Sequence, residues 1–121
     1  MKDILIVDDY LEFRRMLSRL LESAGYRVRE AENGAEALQM HRSAPADLII
    51  TDILMPEKEG LETIRELRRE YPDIKIIAMS GGGQAGTGTY LNLAEKLGAS
   101  RTFIKPFEVL DLLEAVKELT A

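Results

Sequence analysis

Short apolar runs alternate five times along the chain with segments in which apolar residues recur every three or four positions. Runs of this length are typical of buried strands, and the wider spacing is typical of amphipathic helices. The pattern therefore predicts strands at residues 4–7, 26–31, 47–51, 74–79 and 102–104.

A helix is predicted after each of these runs. Leu17 and Leu21 lie on the apolar face of the first helix, which Gly25 is expected to end. The later helices are expected to end before Pro45, to span about 58–71, to end near Gly98 and to span about 108–119. Because near-continuous apolar strands alternate with helices, the predicted class is α/β, with a parallel sheet covered on both faces.

Composition narrows the possible functions. A chain of 121 residues, 45% hydrophobic and 31% charged, is expected to form a single globular domain over 1–121, without an output domain. The net charge of -5 argues against nucleic acid or an anionic membrane as a direct partner. The absence of cysteine excludes disulfides and thiolate metal sites. No apolar stretch approaches the roughly 20 residues of a membrane span, so we expect a cytoplasmic protein.

Polar residues of complementary kinds follow four of the predicted strands. They are Asp8 and Asp9, Asp52, Ser80 and Lys105. In an open parallel sheet, ligands bind beyond the carboxyl ends of the strands, so these side chains are expected to converge at one edge. Three carboxylates, a hydroxyl and an ammonium together predict a site for a divalent metal and a phosphoryl group.

Chemistry assigns different roles to the three carboxylates. Close carboxylates repel one another unless a cation lies between them, and Mg²⁺ prefers such hard oxygen ligands. A carboxylate with metal and ammonium around it can attack phosphorus and form an aspartyl phosphate. Asp52, alone at the end of its strand, is the predicted nucleophile, while Asp8 and Asp9 are predicted metal ligands.

Each residue also has an ordinary structural interpretation. Asp8 and Asp9 are suited to cap the first helix, Ser80 to cap a later one, and a lone Lys105 to be a solvated charge. The functional interpretation is favoured because all four strand ends carry a group that such a site needs. His41 is expected to be solvated on a surface helix, and Arg14, Arg15 and Arg19 to form either a solvated face or a surface for an acidic partner.

Four motifs spanning the chain resemble those of the receiver domains of two-component response regulators. They are ILIVDDY (4–10), DLIITDILMPEKEGLE (47–62), IIAMSGGG (76–83) and GASRTFIKPF (98–107). The resemblance implies a flavodoxin-like (βα)5 fold with strand order 2-1-3-4-5. It also implies a signalling phospho-acceptor that catalyses only its own phosphorylation and dephosphorylation.

The resemblance implies a role for each matching residue. Asp52 would accept phosphate from the phosphohistidine of a sensor kinase or phosphotransfer protein. Asp9, Asp52 and the Leu54 backbone carbonyl would bind Mg²⁺ directly, and Asp8 would act through a metal-bound water. Lys105 would pair with the phosphoryl oxygens, with a cis Lys105–Pro106 bond, and Ser80 would turn inward as the switch that changes the surface offered to a downstream protein.

The chain departs from the family pattern near its fifth strand. The family often has an aromatic switch residue three positions before the lysine, where this chain has Thr102. Phe103 follows, and alternation along a strand predicts that it packs in the core on the other face.

Two further expectations concern the loops beside the site. The glycine-rich segment 81–88 is predicted to be a mobile region that orders when Ser80 engages phosphate. Leu54 and Gly82 would flank the phosphate without offering a polar group to an attacking water, which predicts slow self-dephosphorylation.

Other classes of protein fit less well. A haloacid-dehalogenase-like phosphohydrolase needs two aspartates separated by one residue, whereas Asp8 and Asp9 are adjacent. A phosphate-independent interaction module would not need all five site residues, and a flavodoxin's cofactor phosphate would be repelled by acidic residues after the first strand. We therefore predict a stand-alone receiver that relays or terminates a phosphosignal. The alternative is a receiver that belongs to a longer chain.

Overall fold

The computed structural model describes residues 1–53, 59–81 and 87–121. Within these ranges five strands alternate with five helices. The elements are β1 (Asp3–Val7), α1 (Leu11–Ser23), β2 (Arg27–Ala31), α2 (Gly34–Ser43), β3 (Leu48–Asp52), α3 (Glu59–Glu70), β4 (Lys75–Gly81), α4 (Thr87–Leu97), β5 (Arg101–Lys105) and α5 (Val109–Thr120). The alternation of strand and helix predicted from the sequence is confirmed.

The strands form one parallel sheet in the order β2-β1-β3-β4-β5. The first strand pairs with β2 on one side and with β3 on the other, so that Val7 lies opposite both Ala31 and Thr51. The chain therefore leaves β1 at the point where the strand order reverses, which is where an open α/β sheet forms its crevice. The predicted fold class and strand order are both confirmed.

Alternation along the strands divides the core into two layers. Leu5 and Val7 face the layer that packs under α2, α3 and α4, whereas Ile4 and Ile6 face the layer under α1 and α5. Both layers are apolar because the sheet is covered on both faces, so every strand residue of β1 from Ile4 to Val7 is buried. In the part of the chain that the structure describes, no helix is long and apolar enough to cross a bilayer.

Gly25 ends the first helix, as predicted, and its φ of +99° explains the choice of residue. The left-handed region is strained for side chains with a Cβ and is readily adopted by glycine. The turn leads the chain back towards β2, and the Tyr26 N–H after the turn donates to the carbonyl of Leu21 in α1.

His41 is buried, and the prediction that it is solvated is wrong. It lies on the same face of α2 as Ala37 and Leu38, and it is 1% exposed. Its ring meets Tyr71 edge to face with 4.5 Å between centroids, and its Nδ1 accepts a hydrogen bond from the Ala46 N–H at 3.0 Å. Burial lowers the pKa of His41, and the nearby positive charge of Arg29 lowers it further.

Candidate functional site

Three carboxylates meet at the carboxyl edge of the sheet. Asp8 and Asp9 follow β1, Asp52 ends the neighbouring strand β3, and an oxygen from each lies within 4.8 Å of the others. Asp8 and Asp52 are buried, while Asp9 is exposed. The structure thus brings together the three acidic residues predicted from the strand ends.

Asp8 is held from several sides. Its Oδ1 accepts a hydrogen bond from the Tyr10 N–H at 2.9 Å, and its Oδ2 accepts one from Lys105 Nζ at 3.1 Å. Burial raises the pKa of the Asp8 carboxyl, and repulsion by Asp52 adds to this effect. The Tyr10 hydrogen bond and the Lys105 charge oppose it without cancelling it. Two buried carboxylates, Asp8 and Asp52, thus share the positive charge of Lys105.

Lys105 joins the two buried carboxylates. Its Nζ lies 3.1 Å from Asp8 Oδ2 and 3.1 Å from Asp52 Oδ2, although the three residues are far apart in sequence. The ammonium also lies 3.9 Å from the centroid of the Phe13 ring, at a distance suited to a cation–π interaction. The peptide bond between Lys105 and Pro106 is cis, the isomer expected from the sequence. Lys105 is thus fixed at the site and is not a freely solvated charge.

The first turn of α3 packs directly against the end of β3. A Cβ at Gly60 would collide with the carbonyl oxygen of Asp52 and the Cα of Ile53. Only glycine lets the helix approach the strand this closely without a shift. The Ile53 N–H also donates to the Met79 carbonyl at 2.9 Å, which ties the end of β3 to β4. These contacts fix the backbone that carries Asp52.

Ser80 lies at the matching end of β4. Its side chain is buried, and its Oγ donates to the Gly81 carbonyl over 3.5 Å, the long limit for a hydrogen bond. Thr102, in β5, pairs with Ala78 of β4, and Ala78 lies two positions before Ser80. Phe103 packs into the α1–α5 layer against Phe107, with 5.6 Å between ring centroids. The prediction that Phe103 is a core residue is confirmed.

Several predictions fall on residues that the structure does not describe. Leu54, whose carbonyl is the predicted third protein ligand, and Gly82, the predicted neighbour of the phosphate, lie outside the described residues. Most of the glycine-rich segment 81–88 lies outside them as well.

The ordinary capping interpretation of Asp8 and Asp9 fails. The N-cap residue of α1 is Tyr10, which makes no side-chain cap hydrogen bond. The only cap-like contact of Asp8 among the described residues is with the Tyr10 N–H itself. Neither aspartate is therefore the N-cap residue of α1.

Arg14 is a residue whose role the sequence interpretation missed. It is buried and donates to the Asp8 carbonyl, so it belongs neither to a solvated face nor to a partner surface. A signal was present in the sequence, because Arg14 lies three and seven residues before Leu17 and Leu21 and so shares their apolar face.

The donor set suits a magnesium ion. Asp8, Asp9 and Asp52 supply hard carboxylate oxygens, and the surplus negative charge of the buried pair gives a reason for a cation to bind. Mg²⁺ is usually held by one or two carboxylates together with waters and phosphate oxygens, and the exposed Asp9 leaves the cluster open on one side.

Comparison with known proteins agrees with this geometry. The response regulator receiver domain family matches residues 4–117. The chemotaxis protein CheY of Thermotoga maritima is 37% identical over 120 residues, which cover 98% of both chains. Among solved structures, the response regulator TrrA of T. maritima, in complex with Mg²⁺-BeF, is 38% identical with a TM-score of 0.86, covering 98% of this chain and 99% of that one.

The receiver domain of NtrX from Brucella abortus gives a second structural match. It superposes with a TM-score of 0.90 at 25% identity, with 98% of each chain covered. The family match agrees with the strand order of the sheet and with the acidic cluster at its carboxyl edge. This chain belongs to the response regulator receiver domain family, whose members are signalling phospho-acceptors.

Proposed function

We propose that this receiver accepts a phosphoryl group on Asp52 in a magnesium-dependent reaction and changes conformation in response. The observation that carries the proposal is the position of Asp52. Its Oδ2 contacts the Lys105 ammonium at 3.1 Å, and the carboxylates of Asp8 and Asp9 lie within 4.8 Å. Asp52 therefore has one fixed cation beside it, the Lys105 ammonium, and two neighbouring carboxylates that can help to bind a second cation, Mg²⁺.

Asp52 would act as the nucleophile. One of its carboxylate oxygens forms a bond to phosphorus while the bond from phosphorus to the donor breaks, and the bonding pair leaves with the donor. When the donor is a phosphohistidine, the broken bond is P–N and the imidazole nitrogen takes up the electron pair. Lys105 would then pair with the phosphoryl oxygens, which carry the charge in such transfers.

Asp8, Asp9 and Asp52 would hold the magnesium ion, with the Leu54 carbonyl as a further ligand. When bound, the ion neutralises charge on the phosphoryl oxygens. Both oxygens of Asp8 are already engaged, one by the Tyr10 N–H and one by Lys105. This supports direct coordination by Asp9 and Asp52, with Asp8 acting through a water.

Ser80 and Thr102 would form the switch. The long bond from Ser80 Oγ to the Gly81 carbonyl is weak, so exchanging it for a phosphoryl oxygen costs little. Turning the Ser80 hydroxyl inward changes the space beside β5, where Thr102 replaces the aromatic residue common in the family. A change at position 102 that follows the movement of Ser80 would therefore involve a small side chain instead of an aromatic ring.

The donor would be a sensor histidine kinase or a histidine phosphotransfer protein, and the output would be binding to a downstream protein. Tyr10, Leu11 and Met16 are exposed apolar side chains just beyond Asp9, which suits a protein donor more than a small molecule. The structure of TrrA is that of a complex with Mg²⁺-BeF, which supports a magnesium site in this chain.

The test is the intact mass of the protein after incubation with acetyl phosphate. We expect one phosphoryl adduct with Mg²⁺, none in excess EDTA, and none in Asp52→Asn with Mg²⁺. Asp73→Asn, an exposed aspartate after α3, is the matched control and should react like the wild type. An adduct of equal yield in Asp52→Asn, or no adduct in any condition, would overturn the proposal.

A further inference from the structure

Arg14 is a buried cation beside the acidic cluster, and its guanidinium donates to the Asp8 backbone and to Glu30 rather than to the carboxylates of the cluster. Its side chain is 7% exposed. Its Nη1 donates to the backbone carbonyl of Asp8 at 2.8 Å, and its Nε donates to Glu30 Oε1 at 2.8 Å. A guanidinium is costly to bury unless it is paired, so this placement needs an explanation beyond packing.

The two contacts of Arg14 join the ends of two strands. Glu30 lies in β2, one residue before Ala31, and the Ala31 carbonyl accepts the Asp8 N–H at 3.2 Å. Asp8 is therefore anchored to β2 twice, once directly through its N–H and once through Arg14 and Glu30. Both anchors act on the backbone from which the Asp8 and Asp9 side chains project.

Arg14 is itself fixed by the helix that follows the site. Its N–H donates to the Tyr10 carbonyl at 3.1 Å, in the first turn of α1. The Arg14 backbone thus holds the Tyr10 end of the turn that leads from β1 into α1, and the guanidinium holds the Asp8 end. Planar guanidinium groups can engage two acceptors at once in a fixed geometry, which the ammonium of lysine does not reproduce.

We propose that Arg14, oriented by Glu30, is a positioning residue for the Asp8–Asp9 turn and sets the affinity of the acidic cluster for magnesium. The inference rests on the proposed function. By clamping the Asp8 carbonyl, Arg14 keeps the two side chains directed at Asp52, so that the cluster is arranged before the ion binds. Without the clamp, the turn must be ordered at the expense of binding free energy.

The neighbouring residue provides a matched control. Arg15 has the same charge and also contacts Glu30, at 3.4 Å, but its side chain is 58% exposed, and the hydrogen bond to the Asp8 carbonyl comes from Arg14 instead. If only the net charge near the metal mattered, the loss of either arginine would have a similar effect. If the clamp matters, only the loss of Arg14 will weaken binding.

The experiment is a calorimetric titration of Mg²⁺ into the wild type, Arg14→Met and Arg15→Met, with folding checked by circular dichroism at the same temperature. Partners that orient metal ligands typically contribute roughly 10- to 100-fold in metal affinity, and we expect a loss of that order in Arg14→Met. Arg15→Met should stay within about twofold of the wild type. Val116→Ala, a core truncation in α5, controls for lost stability alone.

Two more variants keep the test decisive if Arg14→Met does not fold. Arg14→Lys keeps the charge but not the two-acceptor geometry, and Glu30→Ala removes the anchor while leaving Arg14 in place. Both should weaken Mg²⁺ binding in the same direction. Because Arg14 and Glu30 act as one unit, adding Glu30→Ala to Arg14→Lys should weaken binding by less than the sum of the single effects.

The outcomes separate this inference from the function on which it rests. Wild-type affinity for Mg²⁺ in folded Arg14→Met, or in both Arg14→Lys and Glu30→Ala, would overturn the positioning role while leaving the phospho-acceptor intact. An equal loss in Arg14→Met and Val116→Ala would also overturn it, since lost stability would then explain the effect. A wild type that binds no Mg²⁺ would contradict the proposed function itself.

Discussion

Both ends of the parallel sheet carry charged side chains, but they arrange them in opposite ways. At the amino-terminal end, Arg29 pairs with Asp3 at 3.1 Å, and the Asp47 carboxylate accepts the Asp3 N–H at 2.8 Å. At the carboxyl end, Asp8, Asp9 and Asp52 lie together, and the Lys105 ammonium contacts two of them. One end pairs opposite charges, whereas the other crowds like charges together.

The difference shows that the charges at the amino-terminal end of the sheet stabilise the fold, whereas those at the carboxyl end are arranged for a chemical function at the expense of stability. Complementary pairs at the amino-terminal end leave little reason for an ion to bind there. Burial raises the pKa of Asp8 at the carboxyl end, and repulsion by Asp52 adds to it, so the ionised form of Asp8 is disfavoured there. Unfavourable charge states of this kind are common at functional sites, and a bound cation would relieve the cost.

At the amino-terminal end of the sheet, the largest loss of stability is expected when His41 is replaced. In His41→Ala, the Ala46 N–H loses its acceptor and a cavity forms beside Tyr71. We expect the free energy of unfolding to fall by about 3 kcal/mol, measured by urea denaturation. Phosphorylation of the folded fraction by acetyl phosphate should be unchanged. A loss of phosphorylation without a loss of stability would show that the two ends are not independent.

At the carboxyl end of the sheet, replacing Lys105 is expected to slow phosphorylation while leaving the nucleophile Asp52 in place. Removing a charged group that stabilises the transition state typically costs about 100-fold in rate, or about 2.7 kcal/mol, and we expect Lys105→Met to slow phosphorylation by acetyl phosphate to this extent. Mg²⁺ affinity should not fall, because a competing positive charge has been removed. Lys117→Met, at an exposed position of α5, is the control and should react at the wild-type rate. Equal rates in the two variants would exclude Lys105 from the reaction.

Asp8→Asn should sharpen the comparison by stabilising the metal-free protein. Since the folded-state pKa of Asp8 is raised above its ordinary value of 3.8, Asp8 contributes stability below that pH and loses it as the pH rises through the folded pKa. At neutral pH the ionised group is therefore a net cost, and in EDTA we expect Asp8→Asn to unfold at a higher temperature than the wild type. Thermal unfolding with and without Mg²⁺ checks this. Mg²⁺ should stabilise the wild type more than the variant, and the reverse result would remove Asp8 from the metal site.

A smaller effect is expected in the pH dependence of the amino-terminal end. Burial lowers the pKa of His41, so the unfolded chain binds its proton more readily than the folded protein does. The stability that neutral His41 contributes is complete above the unfolded value of 6.5 and is lost as the pH falls from there through the lower folded pKa. Urea denaturation at several pH values should show this decline in the wild type and a shallower one in His41→Phe. Parallel profiles would assign the decline to other groups.

The sequence predicted the fold well because the strands are uniformly apolar and the helices have regular spacing. It predicted the acidic cluster because polar residues directly after buried strands, such as Asp52, must lie at one edge of the sheet. The roles of Arg14 and His41 were missed for a common reason. A charged or titratable residue within a polar helix is usually solvated, and only the tertiary partners Glu30 and Ala46 make burial favourable.

The contact between Gly60 and Asp52 was equally invisible in the sequence. A glycine near the start of a helix has many causes, and the close approach of α3 to the end of β3 emerges only when the two elements are packed together. Spacing along the chain therefore identifies the reacting groups, while the residues that hold them in place are found only in the folded structure.

The most direct test of the account is to locate the phosphoryl group. After incubation with acetyl phosphate and Mg²⁺, borohydride reduction converts an aspartyl phosphate to homoserine, which peptide sequencing by mass spectrometry detects at a defined position. We expect homoserine at position 52 and unchanged aspartate at positions 8 and 9. Homoserine at Asp8 or Asp9, with position 52 intact, would contradict it.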